Sequence, residues 1–330
     1  MLARADSLGM SRPSAAAPAA FPPWARALNP PDSDAEAAFL AGAALARLDA
    51  IVRENPPWAG VFRQRLALCA AAMSVARAGR AEDQTALRDA FHLRRPGADP
   101  GPAGQRLLAW RELVARSAGQ WRSSIAVAAE VLGVPNDEAL QEAIDAAEAG
   151  AGGARPAPFA AAQVFAVARR ALTPSAGRRS LGGRGGEGEL LAAWLADSVL
   201  AQRLKWPFAL PLLAASLFSP AGRGARGDLA DGAETTRVLF AYARAAAQAS
   251  DLSAELGRRA QRLCEAAPKL RAKGARAALQ ALLDDDSLSV SAKIGGQIST
   301  RGARRLFDRL VGLGAIRELT GRATFRLYGL

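Results

Sequence analysis

Apolar side chains return at helical spacing along most of this chain, and that period restricts its fold more than any other feature. Leu40, Ala44, Leu48 and Ile51 share one face, and Phe62, Leu66, Cys69 and Met73 share another. Leu107, Trp110 and Val114 mark a further helix. Ser33 and Glu36 stand at capping-box spacing, so the first helix is expected to start there, each side chain satisfying backbone donors of the first turn. Pro56-Pro57 ends it, because proline cannot continue the ladder. Pro/Gly-rich text at Arg95 to Gly104 and Gly150 to Pro158 separates later helices, and Gly/Arg loops at Ser175 to Gly188 and Ala221 to Gly227 interrupt a second helical block running to Ala267.

These breaks divide the 330 residues into a disordered tail over 1–32, a helical region over 33–150, a second helical region packed on the first over 151–267, and a C-terminal unit over 268–330. Half the side chains are hydrophobic, which excludes a generally disordered chain. Two cysteines exclude a disulfide scaffold, and one histidine excludes a His-pair zinc site. No cofactor is expected. The apolar run from Trp206 to Phe218 is too short to span a bilayer and reads as a buried core helix. The N-terminal stretch lacks the apolar core of a signal peptide, so a cytoplasmic location and no membrane partner are expected.

The net charge is +12, and from Pro268 onward twelve basic side chains face five acidic ones. A positive field of this kind attracts phosphate polymers. The same segment departs from the all-helical pattern. A helix is expected over Arg271 to Leu283, and a short one over Ala292 to Gln297, introduced by Ser289-Val290-Ser291. A third begins at Thr300, capped by Ser299. Ala303, Leu306, Phe307 and Leu310 give that third helix an apolar back. Arg301, Arg304, Arg305 and Arg309 give it a guanidinium front, with Arg304 and Arg305 spaced to pair with Asp308. Extended pieces over Ile316 to Thr320 and Ala323 to Tyr328 flank Gly321-Arg322, with Phe325 and Leu327 alternating inward.

The fold class expected is therefore mainly α: a multi-helical body with a C-terminal winged helix-turn-helix of three helices plus a β-hairpin. Such a unit places its basic helix in the major groove of double-stranded DNA, where arginine reads guanine edges or neutralises phosphate. Ser299 and the amides beside it would meet a phosphate, and Arg322 and Arg326 would touch backbone or minor groove. The function expected is DNA binding by a transcriptional regulator. The alternative is a non-enzymatic helical module for protein–protein interaction or self-association.

Other motifs carry less. Cys69 and Cys264 read as small core residues. His92 reads as a structural histidine near a helix end, with no nucleophile beside it. Two Gly-x-Gly-x-x-Gly matches, at Gly183 to Gly188 and Gly222 to Gly227, follow no strand and read as loops. Asp284-Asp285-Asp286 lacks calcium-loop spacing and reads as a solvated acidic turn.

Four segments carry a family resemblance: Phe39 to Val52 (FLAGAALARLDAIV), Trp58 to Gly97, Ala193 to Leu217 (AWLADSVLAQRLKWPFALPLLAASL) and Gly302 to Leu330. Together they resemble domain-of-unknown-function family 1403, a bacterial family that is often plasmid-encoded. The resemblance implies an architecture and no biochemical activity. The C-terminal end is also similar to winged helices of DNA-binding proteins and to those closing many Fic-domain proteins. Fic catalysis needs a His-Pro-Phe-x-Asp/Glu-Gly-Asn-Gly-Arg loop. The sole histidine here lies in Phe91-His92-Leu93-Arg94-Arg95-Pro96-Gly97, so the phosphate cradle is missing and no catalytic role is expected.

Overall fold

The computed structural model describes residues 21–94, 97–173, 186–218, 231–270, 274–291, 298–322 and 324–330. Packing begins before Ser33, where the tail was expected to run on. Phe21, Ala25 and Ala27 are buried around a single 3-10 turn at Pro23–Ala25. The Phe21 amide donates to Asp251 Oδ1 at 3.1 Å, and Arg26 pairs with the same carboxylate at 2.8 Å. An apolar anchor and a shared acid thus fix a segment whose proline and alanine content suggested a free tail.

Helix α1 (Asp34–Glu54) starts at the expected cap. Ser33 Oγ accepts from the Glu36 amide, and Glu36 reaches back to accept from the Asp32 amide. It ends at Asn55, which is left-handed at φ 44°, just before Pro56. Ala37, Ala41, Ala44 and Leu48 line its buried face. That face lies along α10 (Asp231–Ala266), about 54 Å of helix at 1.5 Å per residue. Alanines at the seam let the two backbones come close.

Helices α2 (Ala59–Arg77), α3 (Gln84–His92), α4 (Gly101–Ala115) and α5 (Trp121–Leu132) form one side of the body. Helices α6 (Glu138–Gly152), α7 (Ala157–Leu172) and α8 (Glu187–Arg203) form the other. The stretch expected to separate two regions, Gly150 to Pro158, is the end of α6, a connection over 153–156 and the start of α7. Helix α8 is buried on every side from Leu190 to Ala201, as a helix without a polar face must be. Gly188 lets it meet α7, since a Cβ there would sit 2.4 Å from the Leu172 carbonyl oxygen.

The run from Trp206 to Phe218 is buried as expected, but it is not one helix. Pro207 and Pro211 keep it out of a helix until α9 (Leu213–Leu217). Asp197 of α8 caps that start, accepting from the Leu212 amide at 2.9 Å and the Leu213 amide at 3.1 Å. Burial pushes this carboxyl well above its ordinary range, against the pull of those two amides.

The C-terminal unit contains α11 (Ala275–Asp284), β1 (Leu288–Ser289), α12 (Thr300–Gly312), β2 (Arg317–Glu318) and β3 (Leu327–Gly329). Its strands are antiparallel in the order β1-β3-β2, with Leu288 opposite Tyr328 and Glu318 opposite Tyr328. Ser289 is thus the last residue of a strand. The helix expected at 292–297 lies outside the described residues. Phe325 also departs from expectation. It is 73% exposed at φ 55°, so the inward alternation begins only at Leu327. Leu279, Phe307 and Tyr328 belong to the same continuous core as the body helices. Among the described residues, no helix is long and apolar enough to cross a membrane.

Candidate nucleic-acid interface

Helix α12 has the two faces its sequence requires. Ser299 caps it, its Oγ accepting from the Gly302 amide at 3.1 Å. Ala303, Leu306, Phe307 and Leu310 are buried, and the Phe307 ring lies 5.0 Å from that of Tyr328. Arg301, Arg304, Arg305 and Arg309 are exposed on the other side. Among the described residues, no hydrogen bond or ion pair holds these four guanidinium groups. The pairs expected with Asp308 are not formed. That carboxylate instead takes the Tyr328 hydroxyl, at 3.5 Å.

The turn between β2 and β3 uses its charges differently from the sequence expectation. Arg322 forms an ion pair with Asp89 of α3. Arg326 Nε donates to the Arg322 carbonyl at 2.9 Å. Glu318 closes the turn by accepting from the Thr320 and Gly321 amides at 2.7 and 2.9 Å. Burial pushes the Glu318 carboxyl up, and the Thr320 and Gly321 donors together bring it below its ordinary value. Both arginines expected to reach nucleic acid are therefore engaged within the protein. The four on α12 are open.

The acidic run at 284–286 is not a solvated turn. Asp286 is 2% exposed, and its carboxylate meets Arg65 of α2 and Arg88 of α3, the latter at 2.5 Å. Asp285 receives both ends of the Arg111 fork from α4, at 2.9 and 3.0 Å. Only Asp284 stays on its own helix, accepting from Gln280 at 3.0 Å. Gly60 of α2 permits this docking, because a Cβ there would lie 2.6 Å from Asp284 Cα. Burial pushes the Asp286 carboxyl up, but Arg65 and Arg88 overcome it and hold the group below its ordinary value. The run was misread because its partners lie about two hundred residues upstream, on three helices whose arginines carry no local signal.

His92 closes the same cluster, with Nε2 4.0 Å from Asp285. Burial pushes its pKa down, against the pull of Asp285. Cys69 and Cys264 are free, half-buried thiols at the margin of the core, and burial pushes both up. Of the two glycine motifs, only Gly186 to Gly188 falls within the described residues, and there Gly188 serves helix packing. No group of side chains among the described residues is arranged to hold a metal.

Residues 11–330 match the family described as Protein of unknown function (DUF1403). The chain belongs to that family. The DUF1403 match runs through body and C-terminal unit alike, as the continuous core across them does. No curated protein matches the chain.

Proposed function

We propose that the C-terminal unit is a winged helix-turn-helix and that the protein is a cytoplasmic regulator binding double-stranded DNA through α12. The observation carrying this reading is the open guanidinium face of Arg301, Arg304, Arg305 and Arg309, mounted on a buried apolar back. Had those side chains been folded against the body, docking within the protein would explain them. The strand order β1-β3-β2 with α12 between β1 and β2 supports the same reading. The first amides of α12 add a place for one phosphate. No step of this reading is catalytic.

The test is binding of the full chain to a fluorescent pool of genomic fragments across a salt series, beside the Arg301→Ala/Arg305→Ala variant. Each phosphate contact contributes roughly 0.9 to the slope of log K against log salt, so the variant should lose selective enrichment and flatten the slope by about 1 to 2. Unchanged affinity and slope would remove α12 from the interface.

A protein partner on the body is the second reading. Trp24, Leu28 and Phe39 are 71%, 77% and 61% exposed, and the two rings lie 6.3 Å apart. Large apolar side chains grouped in solvent mark interaction surfaces. Light scattering of Phe39→Ser beside the parent checks it for self-association; identical mass at all concentrations removes that form of it.

A further inference from the structure

A second basic site lies where the body meets the C-terminal unit. Arg258, Arg259 and Arg262 of α10 share one face and border a cavity of about 260 Å³ with Arg317 of β2. Glu255 is the only acidic side chain in the lining and the carboxylate of Leu330 also borders it, so four guanidinium groups still exceed the carboxylates by two. Glu255 is matched by Arg259 in an ion pair. Among the described residues, Arg258, Arg262 and Arg317 have no ion-pair partner. Burial pushes the pKa of Arg259 down, and Arg317, Arg65 and Arg262 push the same way against Glu255.

Fold stability does not explain this grouping. Like charges at i, i+4, as at Arg258 and Arg262, destabilise a helix. The floor beneath them is firm. Ala315 and Ile316 are buried, and the Ala315 amide donates to the Leu310 carbonyl at 3.0 Å. The turn relies on Gly314 at φ 65°. Guanidinium forks favour phosphate oxygens, which they grip with two parallel bonds. The cavity is smaller than the roughly 300 to 1,000 Å³ of drug-sized sites, so it suits a compact anion.

We propose that this seam is a binding site for a small, multiply charged phosphate anion of about diphosphate size. The site uses none of the α12 arginines and stands whether or not they bind DNA. Because its walls come from α10 and from the connection after α12, occupancy ties the two units together.

Titration calorimetry of the full chain with inorganic diphosphate at fixed ionic strength tests this. Three proteins are compared: the parent, Arg262→Gln/Arg317→Gln, and Arg301→Ala/Arg305→Ala. All changed residues are exposed, and equal melting temperatures without ligand confirm intact folds. The expected result is saturable one-site binding in the parent, weakened about tenfold or more in the first variant and unchanged in the second. Absence of saturation, or equal affinity in the parent and the first variant, overturns the proposal. So does a first variant that loses DNA affinity while no protein binds diphosphate, which would assign these arginines to the DNA backbone.

Discussion

Asp286 shows how much one carboxylate can hold. It is the only acid between two guanidinium groups, from α2 and α3, and all three are largely out of water. Asp286→Asn would leave Arg88 buried without its carboxylate and Arg65 with only the Leu330 oxygen, and breaking a buried pair in this way costs about 3 to 5 kcal/mol. Urea denaturation of the variant should show that loss as a lower midpoint at unchanged slope. The cluster also sets a direction with pH. His92 is held below its ordinary value, so below about pH 6.5 the unfolded chain takes up a proton that the folded chain resists. Stability therefore falls as pH drops from there towards the folded value. Asp286 is also depressed, and its contribution is complete above the ordinary carboxylate range, near pH 4, and is lost below it. Thermal melts from pH 8 to pH 3 should decline in two stages. His92→Gln should remove the first stage and leave the second.

At the scale of elements, the seam between α2 and α11 depends on a missing side chain. Gly60→Ala would drive a methyl group into the Asp284 backbone, and overpacking of this kind costs about 1 to 3 kcal/mol. Denaturation should register it although neither residue bears on the candidate interface. How far elements were legible follows from the range of the forces that shape them. The start of α1 was readable because Ser33 and Glu36 act within one turn. The two faces of α12 were readable because its period and its cap are local. The irregular run before α9 was read as helix because its apolar content outweighed Pro207 and Pro211. The strand at Leu288–Ser289 was not foreseen because the partner of Ser289, Leu327, is distant in sequence. The same limit hid the arginines of α10. Their spacing shows a charged face, but only Arg317, brought across by the fold, makes it a pocket.

At the scale of the whole molecule, the core does not stop where the C-terminal unit begins. Leu279, Phe307 and Tyr328 continue the cluster that contains Trp110 and Trp194, so unfolding should be one event. The six tryptophans all precede Pro207, which makes their fluorescence a report on the body alone. Fluorescence and far-ultraviolet dichroism should give coincident transitions, and Asp286→Asn should move both together. A separate early dichroism phase would mean that the C-terminal unit melts by itself. The short passage from Asp284 to Leu288 carries a last consequence. Its three consecutive acids diverge to Gln280, Arg111 and the Arg65–Arg88 pair, and the chain then enters β1 with Leu288 facing inward. One residue more or less would hand each acid its neighbour's partner and exchange the faces that Leu288 and Ser289 present in β1, since strand side chains alternate. Many substitutions elsewhere change a letter at little harm. Here the spelling has some latitude and the word length has none.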